Sequence, residues 1–300
     1  AMIDVLSPHL FCFGLGYTAL ALARLLMAEG WTVTGTCRSG DARSQIENAD
    51  IEAVIFDGTR PLDNAERLLS AATFVLSSVP PDASGDPVLA VHGQDLERIA
   101  GDLQWVGYLS TTCVYGDTGG ATVDESSPLK PSSNRSRRRV EAEQAWLRLH
   151  RNAGVPVHIF RLAGIYGPGR SAFEQVRLGA ATRIDKPGHR FSRIHVADIV
   201  GVLYAAMQRL NPGAIYNVCD DEPAAASEVT AFACELLGVE PPSLVPFDIA
   251  AEEMLPMALS FWKDNRIVDN SRIKCDLGVS LLYPTYREGL RAILDCESEE

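Results

Sequence analysis

The chain has 300 residues, 46% of them hydrophobic and 22% charged. That balance supplies a core for one large or two closely packed domains and excludes wholesale disorder. The net charge of −12 argues against nucleic acid as the main partner, since binding phosphates takes a basic face; a local basic pocket is still allowed. No apolar run reaches the roughly 18 residues needed to span a bilayer; the best stretch, Leu10–Met27, is interrupted by Gly14, Gly16, Tyr17, Thr18 and Arg24. Asp4 stands where a secretory signal carries basic residues, and Ala1 ahead of Met2 reads as a cloning remnant. The seven cysteines are scattered and form no C-x-x-C pair, which suits reduced thiols in a cytoplasmic protein. The six histidines lack ligand spacing, so no metal is expected.

Short apolar runs alternate with helical patterns through the first half. His9–Phe13 reads as a buried strand, Tyr17–Glu29 as a helix with Gly30 as its stop, and Trp31–Thr36 as a second strand. A helix over Asp41–Asn48, a strand over Ala53–Phe56, a helix over Leu62–Ser70 and a strand over Thr73–Ser78 follow. Then come a helix over Val88–Ala100, a strand over Trp105–Ser110, a charged helix over Arg135–Arg151 and a strand over Val155–Arg161. This alternation predicts a parallel, doubly wound α/β sheet with right-handed crossovers. After Gly164 the pattern becomes irregular, with helices over Ala197–Leu210 and Ser227–Leu237 and a strand over Ala214–Val218. The expected organisation is a Rossmann-type domain over residues 1–165, with 213–219 as a candidate addition to its sheet. A smaller mixed lobe over 166–300 would bind substrate, the chain crossing between the two.

The first strand-to-helix turn carries G-x-G-x-x-A: Gly14-Leu15-Gly16-Tyr17-Thr18-Ala19. Gly14 permits the tight turn, Gly16 lets backbone approach a pyrophosphate, and Ala19 lets the helix pack on the strand. The amides of the first helical turn then face the anion. The alternative is a glycine-rich turn that binds nothing. The second strand ends in Thr36-Cys37-Arg38-Ser39, without the acid that an NAD site places there to hold the ribose hydroxyls. Arg38 would pair with a 2′-phosphate and Ser39 would add a hydroxyl, so NADP(H) is expected over NAD(H). Otherwise Arg38 is an ordinary surface residue at a strand end.

Several further segments together resemble the extended and atypical short-chain dehydrogenase/reductases, the NAD-dependent epimerase/dehydratase group. They are Leu109–Asp117 with its Tyr115-Gly116, Phe160–Arg170 with Arg161 and Tyr166-Gly167-Pro168-Gly169, and His195-Val196-Ala197-Asp198. The resemblance implies that Asp57 contacts adenine, that Ser78 and Val79 lie along the cofactor, and that Gly164 belongs to the cofactor site. It implies that Thr111 hydrogen-bonds a substrate oxygen. It also implies a Tyr-x-x-x-Lys pair, one turn apart on the helix after the fifth strand, that moves a proton while hydride passes to or from nicotinamide. Here Arg135 falls at the Tyr position and Arg139 at the Lys position, and no Tyr lies between Gly116 and Gly164. Arg139 can keep the binding role of the Lys. Arg135 carries a guanidinium, a poor acid, and suits anion binding or electrostatic polarisation. Tyr115 is the candidate substitute acid and Tyr166 a weaker one; both also read as framework residues.

On the substrate side, the family places its ligand between the Rossmann domain and the C-terminal lobe. Arg170, Arg190 and Arg193 suit a small anionic substrate such as a nucleotide sugar, with salt bridging as the alternative for each. His195 reads as a packing or capping residue. The expected function is an NADP-dependent epimerase, dehydratase or reductase with non-standard acid–base residues. The alternatives are a non-catalytic NADP(H)-binding sensor and a structural protein without cofactor. The long helices flanking the sheet are plausible faces for a homodimer.

Overall fold

The computed structural model describes residues 8–47 and 50–299. The readings placed on Ala1, Met2 and Asp4, and the Asn48 end of the second helix, lie outside them. In chain order the strands are β1 (His9–Phe13), β2 (Thr32–Cys37), β3 (Glu52–Ile55), β4 (Phe74–Ser77), β5 (Trp105–Thr111), β6 (Thr122–Val123), β7 (Val157–Leu162), β8 (Gly164–Tyr166), β9 (Arg183–Asp185), β10 (Arg193–His195), β11 (Ile215–Val218), β12 (Leu244–Pro246) and β13 (Ile267–Val268). The helices are α1 (Tyr17–Ala28), α2 (Gly40–Glu47), α3 (Ala65–Ser70), α4 (Pro87–Arg98), α5 (Asn134–Ala153), α6 (Ala172–Arg177), α7 (Val196–Gln208), α8 (Ala226–Leu237), α9 (Phe247–Ala251), α10 (Pro256–Lys263), α11 (Ser271–Cys275) and α12 (Tyr286–Ser298).

Seven strands form one sheet in the order β11-β7-β5-β4-β1-β2-β3, and the ladders joining β3, β2, β1, β4 and β5 are all parallel. This is the doubly wound α/β sheet that the alternation predicts. A strand buried on both faces reads as a continuous apolar run, and Leu10, Phe11, Cys12 and Phe13 of β1 are fully buried. The strand order reverses at β1/β4, so the turn after β1 sits at the switch point where such sheets bind ligands.

The chain divides into two compact units. The first runs to Thr111 and takes in Arg137–Arg161 and Val202–Tyr216; the second comprises Thr112–Ser136, Leu162–Gly201 and the chain from Asn217. Thr112–Ser136 thus belongs to the second unit, although it precedes residue 165. The first unit's core gathers Phe11, Phe13, Val75, Val106, Tyr108 and Trp146. The second's gathers Tyr166, Phe173, Tyr286, Leu290 and Ile293.

One helix start is corrected. Leu62–Ser70 reads as a helix in sequence, but α3 begins at Ala65. Asn64 adopts a left-handed conformation, φ 58°, and the Leu62 amide donates to His92 Nε2 at 3.1 Å, which takes both residues out of the helical ladder.

Candidate functional site

The turn after β1 is held by side chains as well as by backbone. Gly14 N–H donates to Thr36 Oγ1 (2.8 Å) and Leu15 N–H to the Thr36 carbonyl (2.9 Å). Ser78 N–H and Oγ donate to the Phe13 carbonyl, and Oγ also reaches the Gly14 carbonyl. Ser78 therefore braces the turn across the β1/β4 switch point. Gly14 has φ +84°, and a Cβ there would come within 2.7 Å of Ser78 Oγ and 3.3 Å of Val79 Cγ2. Gly16 differs: a Cβ on it would meet no atom within 4 Å. It is the N-cap of α1, contributes no capping side chain, and no acid lies in the first turn. Bare amides at a helix N-terminus attract an anion, so the residues present fit a dinucleotide pyrophosphate. Ala19 is buried, as close helix–strand packing requires. Thr18 is buried beside it and Tyr17 half-buried.

Arg38 and Ser39 are exposed just beyond β2. Among the described residues no carboxylate pairs with Arg38. Ser39 Oγ accepts from Ala42 N–H (3.3 Å) at the start of α2. Asp57 is exposed and accepts from the Thr59 hydroxyl (2.6 Å) and amide (2.9 Å), which hold its carboxyl below the ordinary range.

Arg139 is half-buried, and its Nη1 donates to the Tyr108 hydroxyl and the Leu109 carbonyl, each at 3.0 Å. It is thereby tied to β5 two residues ahead of Thr111, which is half-buried at the strand's end. Tyr108 escaped the sequence reading; burial pushes its phenol well above the usual value. Below these, Arg161 Nη2 pairs with Glu143 Oε1 at 2.7 Å with both side chains buried, and Ser110 Oγ donates to the same carboxylate. Arg161 is thus framework in the first unit.

The remaining predicted residues belong to the second unit. Arg135 is exposed, its guanidinium 5.7 Å from the centre of the Phe261 ring. The expectation for Tyr115 as a substitute acid is corrected: the side chain is fully buried and its hydroxyl donates to Asn217 Oδ1 (2.5 Å), so the proton is committed to framework. Gly164 is exposed in β8, and its N–H donates to the Ser192 carbonyl. His195 Nδ1 accepts from Ala197 N–H (3.0 Å) at the start of α7, and burial lowers the ring's pKa to about 4. Asp198 accepts from the amides of Leu282 (2.7 Å) and Tyr283 (3.0 Å). The His-Val-x-Asp segment is therefore a clamp.

Arg170 and Arg193 line one cavity of about 350 Å³ together with Tyr166, Thr230, Tyr286 and Leu290. Arg190 is not among its lining residues; it is exposed, and its amide donates to Asn265 Oδ1 (3.2 Å). Among the described residues no three His, Cys, Asp or Glu side chains gather as metal ligands, and no helix is long and apolar enough to cross a membrane.

A dinucleotide-type turn at the switch point of a doubly wound sheet defines a class, and comparison with known proteins gives the family. Residues 95–219 match the model of the NAD dependent epimerase/dehydratase family. The chain is 31% identical over 279 residues to Protein YeeZ of Escherichia coli (strain K12), covering 90% of this chain and 94% of that one. It is 48% identical to a conserved protein of unknown function from Silicibacter pomeroyi DSS, with a TM-score of 0.90 over 97% of this chain and 99% of that one. The fold is also that of the dTDP-glucose 4,6-dehydratase of Bacillus anthracis str. Ames solved with NAD, at 16% identity and a TM-score of 0.76 over 98% and 97% of the two chains. The chain belongs to the NAD-dependent epimerase/dehydratase family.

Proposed function

We propose that this protein is an NADP-dependent epimerase, dehydratase or reductase acting on a small anionic substrate, with acid–base residues other than a Tyr–Lys pair. The observation that carries the cofactor half is Arg38: an exposed cation at the end of β2, where no acid stands and where no carboxylate pairs with it among the described residues. Gly14, Leu15, Gly16, Tyr17 and Thr18 would hold the pyrophosphate, Arg38 and Ser39 the 2′-phosphate, and Asp57 the adenine end, with Val79 and Gly164 along the cofactor and Ser78 bracing the turn. The bound dinucleotide supplies the hydride acceptor or donor. Arg139, fixed by Tyr108 and Leu109, keeps a positive charge near the end of β5 and would steady the nicotinamide ribose. Thr111 would hydrogen-bond a substrate oxygen, and Arg135 would polarise it or bind its charge. The shared cavity of Arg170 and Arg193 supports an anionic substrate; Arg190 would add charge from outside it. The scattered cysteines, without a C-x-x-C pair, suit a reducing cytoplasmic compartment.

A second reading, a non-catalytic NADP(H) sensor, is favoured by the burial of Tyr115 and the lack of a phenol on α5. Calorimetric titration separates cofactor from chemistry. NADPH should bind more tightly than NADH, and Arg38→Ala should cost NADPH about tenfold while sparing NADH, as loss of a charge-assisted contact predicts. Equal loss for both would remove the NADP assignment, and absence of binding by either would remove the whole proposal. Turnover of NADPH with any carbonyl substrate would exclude the sensor.

A further inference from the structure

The cavity in the second unit is built from β8, β10 and the opening turns of α6, α8 and α12. Its apolar wall comes from Ile165, Val229, Leu290 and the Tyr286 ring. Its polar wall carries two guanidinium groups. Arg193 donates through Nη1 to the carbonyls of Phe191 (3.0 Å) and Ala224 (3.2 Å), and its Nε and Nη2 make no hydrogen bond among the described residues. Arg170 is exposed at the cavity's edge. Tyr166 lines the same space at 8% exposure, with its hydroxyl turned against Gly289 of α12. α8, a full-length helix, opens here on Ala225, which has no side chain able to cap its amides. The carboxylates acting on Arg193 are Asp220 and Glu228. Burial works against the Arg193 charge, and Asp220 supports it.

We infer that this cavity holds the charged end of a small amphiphilic anion, a carboxylate or phosphate monoester on an apolar body, and not the diphosphate of a nucleotide. This rests on the reading that Arg170 and Arg193 serve the substrate. A volume of about 350 Å³ lies at the low end of ligand pockets, roughly 300–1,000 Å³. A nucleotide sugar, with a base and two sugar rings besides its two phosphates, needs more room and a wider spread of cations.

The test is calorimetry on the full chain with phenyl phosphate, benzoate and UDP-glucose as probes, and NADPH titrated separately. Phenyl phosphate or benzoate should bind with and without NADPH, and the preferred probe identifies the anion. Arg170→Ala should weaken that binding about tenfold. Thr230→Trp, which places an indole in the cavity, should abolish it while NADPH affinity stays unchanged. The inference is overturned if neither small probe binds at millimolar concentration, or if both variants bind them as wild type does. UDP-glucose binding that Thr230→Trp abolishes overturns it as well. Probe binding without NADPH binding would sink the cofactor proposal alone; NADPH binding without probe binding would sink this inference alone.

Discussion

The cofactor turn of the first unit is made of backbone, and the cavity of the second is made of side chains. In the turn, Gly16 leaves open space and α1 begins without a side-chain cap, while Thr36 and Ser78 answer the polar groups of Gly14 and Leu15. The buried charge beneath is paired as well, Glu143 with Arg161 and Ser110. Among the described residues, Trp105 in the first unit and Tyr166, His189, Ser192 and Asp220 in the second each keep a buried polar atom without a partner. Of these, Tyr166 alone lines the cavity of the second unit.

The largest expected effect tests the claim that the first unit depends on its pairing. Glu143→Ala strands the buried Arg161 guanidinium and should cost about 3–5 kcal/mol in urea denaturation; a loss under 1 kcal/mol would show that water relieves the charge. Next, Gly14→Ala forces a side chain into φ +84° against Ser78 and Val79. It should cost about 1–3 kcal/mol and abolish NADPH binding while leaving phenyl phosphate bound; retained NADPH binding would detach the turn from the cofactor. A further effect concerns pH. Burial raises Asp220 to about 7 from 3.8, so the folded chain keeps a proton that the unfolded chain has released. Its contribution to stability therefore falls as pH rises from about 4 to about 7 and is flat above that. Asp220→Asn should remove this slope from melting temperatures measured across the range, and an unaltered slope would mean that Asp220 is solvated after all.

Much of the first unit was legible because its signals are local. The apolar run at β1, the turn after it and the helix that follows are all set by neighbours in sequence. What escaped depends on contacts far along the chain. Nothing near Ser78 says that its hydroxyl braces Gly14, and nothing near Arg139 says that Tyr108 receives its donor. Tyr115 looked available because its partner, Asn217, lies a hundred positions away. In the second half short elements offer little periodicity, and β8 and β10, each three residues long, pair with one another. α12 did carry a readable mark, the Thr285-x-x-Glu288 capping box that the structure forms. Arg170 and Arg193 were nominated singly; only the fold puts them on one cavity and leaves Arg190 off it.

The Leu15 side chain rests where a Cβ on Gly35 would stand, 2.0 Å from its Cδ1. The loop's middle residue is therefore seated in a notch cut into the neighbouring strand twenty positions downstream. Anyone transplanting the Gly14–Ala19 segment into another parallel-sheet protein must carry that notch along, or shrink the leucine, because the six-residue insert alone would arrive without the socket it was shaped for.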